Sequence, residues 1–409
     1  MTATVTRRNF VRMTGAGAAA LALGPAWMSP ARAAERITFG QFSPFTGAYA
    51  FSGPLVENGM RLALEERNYE ILGHPIDFVT RDTETKPAVG VRRLMEAIDS
   101  ESVKYFAGNF SSSVGLAQSE IATREKVLQY AAGGSEDFTG ERCSRYTFQW
   151  SANAYTALKS VMDYAAEKMP DAKRWYTITV DYVFGHSLRK YCEVVAKEKG
   201  IELVGNDLHP LGERQFNQYL TKVIASQADV LCVLNFGSDA VTLLRQFHNF
   251  GLKDHVAVVG PWAMEVDQMG ELSPDMREGL ILGQNYFYTI DTPVNRTFVD
   301  AYKAKYERVP GYASAYGYDA FRAILTAMEK AGSVAPADII KVMETETFDG
   351  ILGPTRIDAA THQTIRPYYV VEGKAEADMA SPNDYAAIVH SDATPQPKDL
   401  NTCPGLGEL

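Results

Sequence analysis

Val230-Leu231-Cys232-Val233-Leu234-Asn235-Phe236-Gly237-Ser238-Asp239-Ala240-Val241-Thr242-Leu243-Leu244-Arg245-Gln246-Phe247-His248-Asn249-Phe250 is the stretch whose reading decides the fold. A short β-rich run (230–235) meets a Gly/Ser turn and then an amphipathic helix (238–250), and a second β-rich run follows at 256–260. Strand, helix, strand in that order is the signature of a parallel sheet covered by helices. Working toward the N-terminus, strands are expected at 202–208 and 175–179, with helices at 216–226, 184–199 and 153–168. The same alternation fills the first part of the chain, with strands at 36–40, 76–80 and 105–108 and helices at 55–66, 86–99 and 113–125. Beyond Gly279 come a strand at 280–284, helices at 293–306 and 316–330, and a β-rich, Pro-rich tail.

Thr6-Arg7-Arg8-Asn9-Phe10 precedes an Ala/Gly/Leu-rich stretch, and Ala31-Arg32-Ala33 follows it. This reads as a removable export signal of twin-arginine type over 1–33, cleaved near Ala33. Gly15 to Ala20 matches G-x-G-x-x-A, but no strand precedes it, so it is not a nucleotide site. No cysteine precedes Cys143, which excludes a lipid-attachment cysteine at the cleavage point. No later run approaches the roughly 18 apolar residues of a membrane span. A soluble periplasmic protein is therefore expected.

Residues 34–409 exceed what one hydrophobic core organises. Two lobes are expected, 34–152 with 285–358, and 153–284 with 359–409 including the C-terminal tail. The crossings at 151–153, 283–285 and 357–360 would form a hinge. Setting aside the four arginines of 1–33 leaves 36 basic against 50 acidic residues, a net charge of −14. That balance argues against nucleic acid or anionic membrane surfaces as partners, though it permits an anionic ligand in a local site.

In open parallel sheets the ligand sits outside the carboxyl ends of the strands. Those ends carry 41–53, 109–113 and 131–135 in the first lobe and 181–185, 235–238 and 261–264 in the second. These loops are rich in small hydroxyls and aromatics. No G-x-S-x-G, H-E-x-x-H or G-x-x-x-x-G-K-[ST] pattern occurs, and the seven histidines form no ligand-spaced pair. Neither an enzyme, nor a metal, nor a cofactor is therefore expected, and His186 and His362 read as solvated polar residues.

The run Ser43-Pro44-Phe45-Thr46-Gly47-Ala48-Tyr49-Ala50 and the Phe110-Ser111-Ser112-Ser113 turn carry a family likeness. Asp181-Tyr182-Val183-Phe184-Gly185 and Asp349-Gly350-Ile351-Leu352-Gly353-Pro354 extend it. With them the chain resembles the branched-chain amino-acid-type, leucine-binding-protein-like periplasmic solute-binding proteins of ABC importers. The resemblance implies a type I periplasmic-binding fold: α/β, two doubly wound parallel-sheet lobes joined by a three-crossing hinge. It implies capture of a small carboxylate, amide or amino acid by a monomer, and delivery to permease subunits in the inner membrane. A ligand-sensing regulatory protein of the same fold is the alternative, and the export signal weighs against it.

The resemblance implies that Ser111, Ser112, Gly134 and Ser135 hold a ligand carboxylate, a role that also suits the unpaired donors of a helix start. Capping of the following helix is the competing role for the serines. Tyr182, Phe184, Phe236 and Trp262 would close over the ligand's body, with Phe51 and Ser52 on the opposite wall. The resemblance also implies a Cys143–Cys403 disulfide, while Cys192 and Cys232 read as buried thiols. One departure bears on the ligand. Where amino-acid-binding members place a carboxylate just beyond Gly-Pro, this chain has Trp262, which has no acceptor for an ammonium group. A ligand lacking an α-amino group is favoured, with Glu265, one helical turn later, as the group that could reverse this.

Overall fold

The computed structural model describes residues 35–409, so the expected export signal and its cleavage after Ala33 lie outside the described residues. The first lobe takes β1 (Ile37–Ser43), α1 (Ser52–Glu65), β2 (Glu70–Ile71), β3 (His74–Asp82), α2 (Pro87–Glu101), β4 (Val103–Ala107), α3 (Ser112–Glu125), β5 (Leu128–Ala131) and β6 (Thr147–Gln149). The second takes α4 (Ala154–Lys168), β7 (Arg174–Val180), α5 (Val183–Lys199), β8 (Glu202–His209), α6 (Asn217–Ala225), β9 (Val230–Leu234), α7 (Ser238–Asn249), β10 (Ala257–Gly260), α8 (Val266–Met269), α9 (Pro274–Arg277) and β11 (Ile281–Gln284). The chain then returns to the first lobe with α10 (Pro293–Tyr306), α11 (Tyr312–Ala331), α12 (Pro336–Thr345), β12 (Thr347–Gly350), β13 (Gly353–Ile357) and β14 (Thr364–Ile365). It ends its regular structure in the second lobe with β15 (Tyr368–Gly373) and β16 (Ala386–Asp392).

Each lobe is built on one sheet. The first has the order β2-β3-β1-β4-β5-β6 and the second β16-β15-β11-β10-β9-β7-β8. In these two sheets pairing is parallel except for β2, β15 and β16, which pair antiparallel, and β12, β13 and β14 form a separate small antiparallel sheet. The central strands are covered on both faces, which is why β1 and β9 are buried along their whole length and why apolar runs encode them. Local signals set the helices. Asn153 caps α4 by accepting from the Thr156 amide at 2.9 Å, proline opens α2, α10 and α12, and Gly200 and Gly332 end α5 and α11 in the left-handed conformation. Helices α1 and α11 cross at glycines. A Cβ on Gly59 would lie 2.0 Å from the Ser314 carbonyl oxygen, and one on Gly317 2.2 Å from that of Val56. No larger residue permits that approach.

The structure adds elements that periodicity did not mark. Strands β5 and β6 extend the first sheet, α12 lies in the stretch expected to be β-rich, and α11 begins at Tyr312 rather than 316. The third crossing also falls later than 357–360. A turn in which the His362 amide donates to the Asp358 carbonyl at 2.7 Å folds β14 back onto β13, so the chain leaves the first lobe only at Arg366-Pro367. Of the stretch 359–409, β15 and β16 join the second sheet. Residues 359–365 stay with the first lobe, and the tail returns to it, where the Arg145 amide donates to the Leu406 carbonyl at 2.8 Å and Asn401 donates to the Thr139 carbonyl.

Cys143 and Cys403 are joined by a disulfide with Cα atoms 5.7 Å apart, while Cys192 and Cys232 are buried free thiols. The bond spans 260 residues of sequence. Cys403→Ser should therefore leave both sheets intact and lower stability by up to about 5 kcal/mol, the chain-entropy figure for so long a loop. Urea melts of the variant beside the oxidised parent read the difference directly, and coincident midpoints would mean that the tail is held without the bond.

Candidate functional site

In each sheet the chain steps to one side of its first strand and then to the other, from β1 to β3 and then β4, and from β7 to β8 and then β9. A crevice opens at such a switch point outside the strand ends, and the two crevices face each other here. Between them lies a nearly filled cavity of about 10 Å³, lined by Tyr49, Phe110, Ala132 and Tyr312 from the first lobe with Gly134, and by Tyr182, Phe184, Phe236 and Trp262 from the second. In this arrangement of the lobes it has room for no more than about one water.

The walls are aromatic cross-packing. Phe110 meets Tyr312 at 5.0 Å between ring centroids and Phe236 at 5.9 Å. Phe184 stands edge-on to Trp262 at 5.5 Å, and Trp262 lies 6.4 Å from Tyr312. These tilted and edge-on geometries suit ring quadrupoles. Gly134 makes the closure possible, because a Cβ there would come within 2.7 Å of Phe184 and 2.8 Å of Trp262. The Tyr49 and Tyr182 hydroxyls bond each other at 2.7 Å across the lobes. Burial raises both phenols, and that of Tyr312, well above their ordinary range, so all three remain neutral hydrogen-bonding groups. No charged side chain is among the residues that line the cavity.

The expected site residues fall into three groups. Gly134, Tyr182, Phe184, Phe236 and Trp262 line the cavity itself. Phe51 stands just behind it, 6.0 Å from Phe236 and 6.3 Å from Phe110, while Ser52 turns back to donate to the Tyr49 carbonyl at 2.8 Å. The serines form a chain beside the cavity. Ser112 accepts from the Ser135 amide at 3.2 Å, and the Ser135 hydroxyl bonds that of Ser187, in the second lobe, at 3.1 Å. Ser111 occupies the N-cap position of α3 without making a capping bond, and its hydroxyl meets that of Ser113 at 3.2 Å. Tyr49 and Phe110 lay inside loops already marked by the sequence, whereas Tyr312 was missed because the helix was expected to begin one turn later.

Two polar groups sit differently from expectation. His362, read as solvated, is buried, with its ring stacked on Phe148 at 3.9 Å and its Nε2 2.8 Å from Glu344, whereas His186 is exposed beside Asp181. Glu265 is only 1% exposed and reaches across to the first lobe, where it accepts from the Ala313 amide, in the first turn of α11, at 3.0 Å. Asp267 on α8 pairs with Arg308, again across the lobes. Among the described residues no cluster suits a metal ion, and no helix is long and apolar enough to cross a membrane.

Residues 36–378 match the family described as periplasmic binding proteins. The chain belongs to that family. Among solved structures, an amino acid ABC transporter substrate-binding protein from Pseudomonas fluorescens Pf-5 is 37% identical and superposes with a TM-score of 0.87, covering 91% of this chain and 99% of its own. A solute-binding protein from R. palustris, crystallised with benzoate, superposes at a TM-score of 0.80 with 19% identity over 90% and 99% of the two chains. The Leu/Ile/Val-binding protein homolog 4 of Brucella abortus is 24% identical over 88% of this chain and 89% of its own. These relatives are solute-binding proteins rather than enzymes, so the binding protein described here is read through its cavity and not through a catalytic constellation.

Glu265 gives the interface of this binding protein a pH dependence. Burial, reinforced by the neighbouring Asp267 charge, pushes its carboxyl up to about 8, against the opposing pull of the Ala313 amide and Arg308. An acid whose pKa is raised in the folded state stabilises most below its ordinary value near 4.5 and loses that contribution as pH rises toward 8. Melting temperatures should therefore fall between those limits in the parent and fall less in Glu265→Gln. A variant whose melts track the parent's at every pH would remove Glu265 from this role.

Proposed function

We propose that this chain captures a small, ring-sized carboxylate or amide lacking an α-amino group, outside the cytoplasmic membrane, and hands it to an ABC-type permease. The observation that carries the reading is the aromatic cage with neutral hydroxyls and no carboxylate. A buried ammonium group would have no acceptor of opposite charge among the lining residues, at a cost of several kcal/mol, since Glu265, with one oxygen on the Ala313 amide and the other unpartnered, does not line the cavity. A carboxylate or amide oxygen, by contrast, can meet the tyrosine and serine hydroxyls and the first amides of α3. Solute-binding proteins of the same fold hold benzoate and 3,4-dihydroxybenzoic acid, ligands of this class.

The export signal expected over 1–33 supports capture in the periplasm. The tyrosine, serine and Glu265 contacts across the lobes support a hinge that closes on the ligand. In this reading Trp262 and Phe184 form the lid, Gly134 admits them, and Ser111, Ser112 and Ser135 supply the polar edge.

Calorimetric titration with leucine, isoleucine, valine, benzoate, 4-hydroxybenzoate, short keto acids and amides tests the ligand class. Micromolar or tighter binding of an acid or amide, with the amino acids silent, is expected. The reverse pattern would overturn the proposal and favour the amino-acid reading that the Pseudomonas relative's name suggests. Trp262→Ala should weaken the bound member of the panel by about thirtyfold, the effect of losing a closing aromatic worth about 2 kcal/mol.

A further inference from the structure

Arg366 is an unusual residue for its place. It is 4% exposed, it takes part in none of the ion pairs among the described residues, and its Nε and Nη1 atoms have no hydrogen-bond partner. Burial lowers its pKa to about 10, which leaves it charged at neutral pH. A buried cation with no direct ion pair, opposed only through space by the buried Asp319 carboxylate, is a poor way to stabilise a core, since an apolar side chain of similar volume often does as well or better.

Its contacts show what it does instead. Arg366 stands at the third crossing between the lobes. Its guanidinium lies over the indole of Trp150, at the first crossing, with its carbon 3.7 Å from the ring centroid. Its Nη2 donates to Asn285, at the second crossing, through both the main-chain carbonyl and the Oδ1, the latter at 3.1 Å. The same Oδ1 accepts from the Ala152 amide at 2.9 Å, which ties the second crossing back to the first. Gln363 closes the remaining side by donating to the Ser151 carbonyl at 2.7 Å. All three crossings thus meet around one side chain. They also border an open cavity lined by Asn153, Gln363, Arg366 and Gln396 among others, so close packing does not wedge them on that side.

The node continues to the ligand cavity. The Trp150 indole donates to Asp319 at 2.8 Å and stacks on Tyr312 at 5.8 Å with an interplanar angle of 25°. Tyr312 lines the cavity, and its hydroxyl donates to the Ala132 carbonyl at 2.8 Å. Guanidinium, indole and phenol therefore form three successive layers from the hinge to the cavity wall.

We infer that Arg366 is a positioning residue that pins the three interlobe crossings into one rigid node and, through Trp150, sets the orientation of the Tyr312 wall. A lysine cannot substitute, because an ammonium group, although its three donors could reach both Asn285 oxygens, has no plane to stack on the Trp150 indole.

The test uses ligand-free protein, so its outcome is independent of which ligand the chain takes. Arg366→Met, Arg366→Lys and Asn285→Ala are compared with the parent by small-angle scattering, hydrogen exchange and thermal melting. The expected result is a larger maximum dimension, and exchange at 150–153, 285–286 and 366–369 faster by on the order of tenfold in both arginine variants, with Asn285→Ala intermediate. Melting temperatures should stay within a few degrees of the parent's, which separates a pin from a stabiliser of the core. Parent-like exchange and dimensions in Arg366→Lys would overturn the inference. So would a sharp loss of melting temperature in Arg366→Met with unchanged exchange at the crossings. If Arg366→Met does not fold, the lysine and Asn285 variants decide by the same measures.

Discussion

Parallel pairing places all strand ends of one kind along one edge of a sheet, and that constraint organises this molecule. The loops that leave β1, β4 and β5 are forced together, as are those that leave β7, β9 and β10, and each set gathers aromatic side chains that a single lobe cannot bury. The two sets have each other, or a ligand, as the remaining apolar surface. A cleft between lobes is therefore the direct result of writing two such sheets in one chain and joining them through short crossings.

The chemistry of the cleft follows from what fills it. Tyr49, Tyr182 and Tyr312 carry hydroxyls that burial keeps neutral, and the serines of the first lobe bond one another and Ser187 rather than a charge. Discrimination in such a site comes from shape and from the penalty on an unpartnered polar group, because there is no opposite charge to reward an ion. Charge sits one layer out, in the Asp267–Arg308 pair, which together with the Glu265 carboxyl joins lobe to lobe.

Much of this could be read before the fold was seen, for identifiable reasons. The apolar run 230–234 and the Gly237-Ser238 turn report local backbone preference, so the strands, helices and strand-end loops were legible, and with them Gly134, Tyr182, Phe184, Phe236 and Trp262. Tyr312 was not, because its helix begins after Pro310-Gly311 with small residues that carry little periodicity. Ser52 shows the opposite limit: its position in a loop of the right kind was clear, but its side chain turns to the Tyr49 carbonyl, a choice made by local geometry alone. The third crossing and the burial of His362 depend on β14 folding back onto β13 and on Phe148 and Glu344 arriving from elsewhere, and no local pattern encodes partners so distant in sequence.

The returning tail bears on how motion in this molecule could be observed. Strand β1 opens the first lobe, and the Leu409 carbonyl lies 3.4 Å from the Lys126 Nζ on that same lobe, held there through Cys403. A pair of fluorophores attached at Arg36 and at Leu409 would therefore travel as passengers on one lobe and stay blind to the other. An optical reporter of closure needs one dye on the second lobe, on an outward helix face such as that of α6.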